Sequence, residues 1–279
     1  HGFHGKKGLA GDVTGEQSPN PKVRWAPFAR NKELPQSYFR EALDRLAGEC
    51  RGSIALLITE PYLGAAGSYH PPRWYHPLLQ SWCREHDVPF IFDEVQSGFG
   101  RTGNMFAYQT YDVQPDLVVL GKGLANGEPC AAVIGRADLI DALDYGEASD
   151  TYSGNPRACA AVCAVLDVFE EEQVVEQARA RGAELRTLLD ELANEFPFIT
   201  EVRGEGMVYG VECADAAAAN TAVLEAYRGV GGEGVHLLGP LAEKVLRVSP
   251  PLTITPAELA RAGAILRQCW ARVEIPAVK

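Results

Sequence analysis

The sequence predicts an α/β fold. It consists of a large domain on a mainly parallel sheet over residues 1–174, followed by a smaller α+β domain over 175–279. Three observations carry this reading. Short apolar runs of strand length alternate with helical spacings from Ser53 to Ile134, which is the pattern of a layered parallel sheet. Two of those runs end directly in a charged residue flanked by glycines, as expected where a ligand meets the carboxyl ends of parallel strands. Beyond Pro197 the alternation gives way to separated strand-like and helical stretches.

Each element has a local reason. Residues 8–36 are rich in Gly, Pro, Asn and charge and read as a connection before a helix over Tyr38–Ala47. Ser53–Thr59, Val88–Phe92, Asp116–Leu120 and Cys130–Ile134 read as strands, and Trp74–Glu85 is helical in spacing. Asn155 followed by Pro156 caps a helix whose expected apolar face is Cys159, Val162, Cys163 and Leu166. Val174, Ala178, Leu185, Leu188, Leu192 and Phe196 carry a second helix, stopped by Pro197. Strands are expected at Gly206–Cys213 and Lys244–Ser249, with a helix near Ala216–Tyr227 between them. The last helix opens on Thr255-Pro256-Ala257-Glu258, which has the form of a capping box.

Composition excludes several classes. Lys and Arg number 26 against 37 Asp and Glu, a net charge of −11, which gives no electrostatic reason to bind nucleic acid or anionic membranes. The longest strictly apolar stretch, Ala158–Leu166, has nine residues, where a membrane span needs roughly 18 or more. Seven cysteines without a CxxC pair suggest neither a disulfide framework nor a zinc site, and a reducing cytoplasm is expected. Six scattered histidines give no metal site.

The chemistry concentrates at two strand ends. Asp93 follows Val88-Pro-Phe-Ile-Phe92, and Lys122 follows Asp116-Leu-Val-Val-Leu-Gly121. Taken singly, an Asp after a strand is usually a turn or cap residue and a Lys is usually solvated. Together they place a carboxylate and an amine at the ends of neighbouring strands, among Gly98, Gly100, Gly103, Gly121, Gly123 and Gly127. Backbone can approach a ligand closely there.

These segments resemble the class III aminotransferases, pyridoxal phosphate (PLP) enzymes of fold type I. The resemblance is carried by Asp93-Glu-Val-Gln-Ser-Gly-Phe-Gly-Arg-Thr-Gly103, Gly121-Lys-Gly-Leu124 and Thr151-Tyr-Ser-Gly-Asn-Pro156, in family order, with Lys122 lying 29 residues after Asp93. It implies that Lys122 holds the cofactor aldehyde as a Schiff base and then moves the proton during transfer, while Asp93 keeps the pyridine nitrogen protonated. By the same resemblance Val95 packs on one ring face, Gln96 bonds the ring hydroxyl, Phe3 stacks on the other face, and Thr151 reaches the phosphate of the partner in a homodimer. His4 and Glu60 fall with the cofactor-binding set. Taken alone, Val95 and Phe3 would be core and Thr151 an ordinary residue ahead of a helix.

Substrate positions are also implied. Arg247, in Leu246-Arg-Val-Ser-Pro-Pro-Leu252, matches the family arginine that binds the substrate carboxylate, and Lys6 stands where relatives that use 4-aminobutyrate carry an arginine. Family members using 2-oxoglutarate commonly have a glutamate in the loop after Glu60-Pro61, and Ala65 occupies that place here. The implied function is transfer of an amino group from an ω-amino acid or amine to a 2-oxo acid, pyruvate or 2-oxoglutarate. An aminomutase or decarboxylase of the same fold, or a non-catalytic dimerisation module, is the alternative. The chain opens on His1 without an initiator Met, and nothing before Phe3 supplies the family's amino-terminal arm or its Gly-Ser/Thr phosphate loop, so an upstream portion is expected.

Overall fold

The computed structural model describes residues 22–30, 34–51, 53–147, 150–239 and 242–273. These divide into two units: 22–62, 71–99 and 105–172 belong to the first, and 63–70, 100–104 and 173–273 to the second. The second unit therefore takes in two short segments from the middle of the chain as well as its carboxyl-terminal part, which a linear boundary near residue 175 does not express.

The first unit opens with α1 (Gln36–Glu49) and continues through β1 (Leu57–Thr59), α2 (Tyr75–Glu85), β2 (Phe90–Asp93), β3 (Leu117–Leu120), β4 (Ala132–Gly135), the single turn α3 (Ala137–Ile140) and α4 (Pro156–Glu171). The sheet order is β1-β2-β3-β4. β1, β2 and β3 are mutually parallel, and β4 runs antiparallel against β3. A parallel return would need a crossover of about a dozen residues, usually helical, and the segment between β3 and β4 holds only a single 3₁₀ turn, Lys122–Leu124. The core beneath this sheet is aromatic: Phe39, Tyr75, Trp82, Phe90, Phe92 and Tyr111 are all buried.

Two expectations shift. β1 is confined to Leu57–Thr59, shorter than the apolar run that contains it. On α4 the packed stripe is Ala158, Val162 and Phe169, with Cys159 and Leu166 exposed. A segment with no polar residue over nine positions carries no marker of which face turns inward. The caps hold as expected. Asn155 Oδ1 accepts from Ala158 N–H at 2.9 Å, with Pro156 at the first helical position.

The second unit contains α5 (Val174–Glu195), β5 (Ile199–Glu205), β6 (Val208–Cys213), α6 (Ala216–Arg228), β7 (Val245–Val248) and α7 (Pro256–Trp270). The three strands form an antiparallel sheet in the order β5-β6-β7. Its core gathers Leu185, Leu189, Leu192, Met207, Leu246 and Trp270. β5 has no counterpart in the sequence reading: Glu201, Arg203 and Glu205 interrupt its apolar positions, and of its two buried residues, Ile199 and Arg203, one is charged. α7 begins with the expected capping box, Thr255 Oγ1 accepting from Glu258 N–H while Glu258 accepts from Thr255 N–H.

Candidate active site

Parallel pairing delivers three candidate side chains to one edge of the first sheet. Thr59 pairs with Phe92, and Asp93 with Val119. Glu60 thus follows the end of β1, Asp93 ends β2, and Lys122 stands two residues past the end of β3. Because these strands run the same way, all three leave the sheet at its carboxyl edge, where crevices form in open α/β sheets.

The chain around Asp93 is pinned by its neighbour. Glu94 is fully buried, and its carboxylate accepts from Ser97 Oγ at 2.8 Å and from the backbone N–H groups of Ala107 and Tyr108 at 2.9 and 2.8 Å. Burial pushes its pKa up despite these bonds. Glu94 N–H in turn donates to Val119 O at 2.9 Å. Asp93 is half-buried, and its Oδ1 accepts from Val95 N–H at 3.1 Å, which folds the chain back over the strand ends. A side chain at Gly98 would crowd this turn, since its Cβ would lie 3.1 Å from Glu94 O. Sequence reasoning missed Glu94. Its signal was present as a second acid directly after a buried strand, with a serine three residues on.

The same turn meets the chain around Lys122. A Cβ on Gly121 would stand 3.3 Å from Val95 Cγ1, and one on Gly123 the same distance from Phe99 Cβ. The two glycines let the 95–99 turn lie directly against the residues flanking the lysine. Lys122 itself adopts φ 44°, a left-handed conformation uncommon for a residue with a side chain, and its side chain is exposed. Strain of this kind persists only where surrounding structure imposes it, and it concentrates at functional sites.

Behind the edge, the buried His76 donates from Nε2 to Pro61 O at 2.9 Å and so fixes the chain that carries Glu60. Desolvation lowers its pKa to about 4, and rings of Phe92 and Tyr111 pack against it at 4.9 and 4.5 Å.

The structure thus brings Glu60, Asp93, Val95, Gln96 and Lys122 to one edge, with Gln96 half-buried beside Val95. Thr151 is exposed in the turn ahead of α4, a turn organised by Asp150, whose Oδ1 accepts from the N–H groups of Tyr152 and Ser153 at 2.8 and 2.9 Å. Arg247 lies on β7 of the second unit, half-buried, with Nη2 donating to Gly64 O at 3.1 Å. Ala65 is exposed in that same unit. Phe3, His4 and Lys6 lie outside the described residues.

The donor set suits PLP. A carboxylate for a pyridinium, an amine for an aldehyde and an apolar valine occupy one strand edge, and Val95 lies close enough to Gly121 that a Cβ there would stand 3.3 Å from its Cγ1. Among the described residues no three metal-binding side chains cluster, and no helix is long and apolar enough to cross a membrane.

Comparison with known proteins agrees with this geometry. The family model for aminotransferase class-III matches residues 2–270. An acetylornithine aminotransferase from Synechocystis is 34% identical over 273 residues, covering 96% of this chain and 62% of that protein. A probable 4-aminobutyrate aminotransferase from Bacillus subtilis is 32% identical, with coverages of 95% and 66%. Among solved structures, a PLP-bound amine transaminase from an uncultivated Pseudomonas species superposes with a TM-score of 0.79 at 30% identity, covering 89% of this chain and 61% of that one. The chain spans just under two thirds of the length of these relatives. With a family match over nearly its whole length and fold type I neighbours, the chain belongs to the class III aminotransferases.

Proposed function

We propose that the protein is a PLP-dependent aminotransferase that takes an amino group from an ω-amino acid or amine and passes it to a 2-oxo acid. The observation that carries this reading is the delivery of Asp93 and Lys122 from adjacent parallel strands to one sheet edge. When bound, PLP supplies an electron sink for charge developing at the substrate carbon.

The chain's own residues supply the rest. Asp93 holds a proton on the ring nitrogen through a charge-assisted bond, with Oδ1 oriented by Val95 N–H. Lys122 anchors the cofactor and then serves as the base that carries the substrate's proton. Val95 and Gln96 orient the ring, and Phe3, His4 and Glu60 complete its surroundings. Thr151 reaches the phosphate across a homodimer, and Lys6 and Arg247 receive substrate carboxylates. Residues 63–70 contain no acid, so Arg247 has no glutamate within that loop to screen it, which favours a small monocarboxylate acceptor such as pyruvate over 2-oxoglutarate. The seven free thiols support a reducing, cytoplasmic setting.

Acetylornithine and 4-aminobutyrate in the relatives' names support an amine remote from the α-position as donor. A single turnover of the PLP-loaded native polypeptide tests this. An ω-amino acid should bleach the visible cofactor absorbance stoichiometrically, and pyruvate should restore it. Product formed without bleaching and without any need for a 2-oxo acid would mark a decarboxylase or aminomutase instead.

A further inference from the structure

Arg203, Gly210 and Arg247 form one row across the three-stranded sheet of the second unit. Arg203 pairs with Gly210 in the register of β5 and β6, and Gly210 with Arg247 in that of β6 and β7. Register partners project to the same face. A short loop, residues 63–70, lies on that face, closed on itself by the bridge between Leu63 and Tyr69. Gly210 makes room for it, since a Cβ there would stand 2.9 Å from Gly67 O and 3.0 Å from Ser68 Cβ.

The two arginines grip this loop at either side of its exposed Ala65. Arg247 Nη2 donates to Gly64 O at 3.1 Å, and Arg203 Nε donates to Gly67 O at 2.9 Å. Arg203 is 8% exposed and held from three other directions: its Nη1 meets Glu201 and Glu212 at 2.8 and 2.6 Å, and its guanidinium stacks 4.1 Å over the Tyr69 ring. Lys244 pairs with the other oxygen of Glu212 at 2.8 Å. A planar fork fixed in this way is a rigid post, whereas the bond from Arg247 to Gly64 O is a neutral one, weaker than the charge-assisted bond an incoming carboxylate would make.

We propose that Arg203 is a positioning residue for Arg247: by pinning Gly67 it holds loop 63–70 against the sheet, so that Gly64 O keeps the Arg247 guanidinium aimed for a substrate carboxylate. This rests on the reading of Arg247 as the carboxylate-binding residue. Arg203 touches no substrate in this scheme. Its loss should weaken carboxylate binding and spare chemistry on an amine that has no carboxylate.

The test uses the PLP-loaded native polypeptide with pyruvate as acceptor and 1-phenylethylamine as carboxylate-free donor. Arg203→Met removes the post. Arg203→Lys keeps a cation facing Glu201 and Glu212 but loses the bond to Gly67, so it serves if the methionine variant folds poorly. Either variant should raise the KM for pyruvate about tenfold, leave the single-turnover rate with the amine within about twofold, and speed amide exchange across 63–70. In an Arg247→Ala background the same change should leave the pyruvate KM unaltered. Unchanged exchange at 63–70 would overturn the pinning. Faster exchange with an unchanged pyruvate KM, while Arg247→Ala alone raises that KM, would overturn the positioning role. If Arg247→Ala alone leaves the KM as it was, the carboxylate reading of Arg247 fails and the positioning role with it, and the exchange data then report the pinning separately.

Discussion

His76 shows how one buried side chain couples a strand edge to pH. Its Nε2–H is committed to Pro61 O, and its Nδ1 is buried with no hydrogen-bond partner among the described residues. A second proton would be an unpaired charge among Tyr75, Phe92 and Tyr111. Burial therefore lowers its pKa from 6.5 to about 4. Between those values the unfolded chain binds a proton that the folded chain refuses, so stability is full above about pH 6.5 and declines as pH falls toward 4. The loss from this residue should reach about 2 kcal/mol between pH 7.5 and 5. His76→Gln keeps an N–H for Pro61 and cannot titrate. Urea midpoints at the two pH values should show the variant losing less stability than wild type, and equal losses would contradict the assignment. At this scale the placement of Asp93 and Lys122 at strand ends was legible because each is a charge close behind an apolar strand. Glu94 and His76 were not, because their importance lies in hydrogen bonds to Ala107, Tyr108 and Pro61 that residue type alone does not announce.

Helix ends and strand positions could be read from sequence because capping and period are local. Asn155 and Thr255 cap α4 and α7 as their patterns require. Facing is a tertiary property, so a different stripe was expected on α4, where the run Ala158–Leu166 holds no polar side chain to mark the outer face. β5 was hidden for the opposite reason, its inward-facing Arg203 resembling a solvent residue until Glu201, Glu212 and Gly67 are placed around it. α5 illustrates a contact that sequence only hints at. Gly182 sits on the turn between β5 and β6, and a Cβ there would lie 2.5 Å from Gly206 O. Backbone on both sides leaves nothing flexible to yield. Gly182→Ala should cost about 1–3 kcal/mol of stability, although alanine is the better helix former. A denaturation midpoint equal to or above that of wild type would show that α5 shifts freely.

For the whole molecule, the acidic balance of −11 and the alternating sheet pattern identified an α/β protein without reason to bind polyanions. Two features lay beyond a linear reading. The second unit recruits residues 63–70 and 100–104 from the middle of the chain, and β4 reverses direction at the sheet's end. Both depend on contacts distant in sequence. The central claim, that this fold carries PLP on the lysine at the end of β3, is open to a direct chemical measurement. The PLP-loaded native polypeptide is reduced with borohydride, digested and mapped by mass. The account predicts one pyridoxyl adduct, on Lys122, and its loss in Lys122→Ala. An adduct on Lys244 or another lysine, or on none, would contradict it.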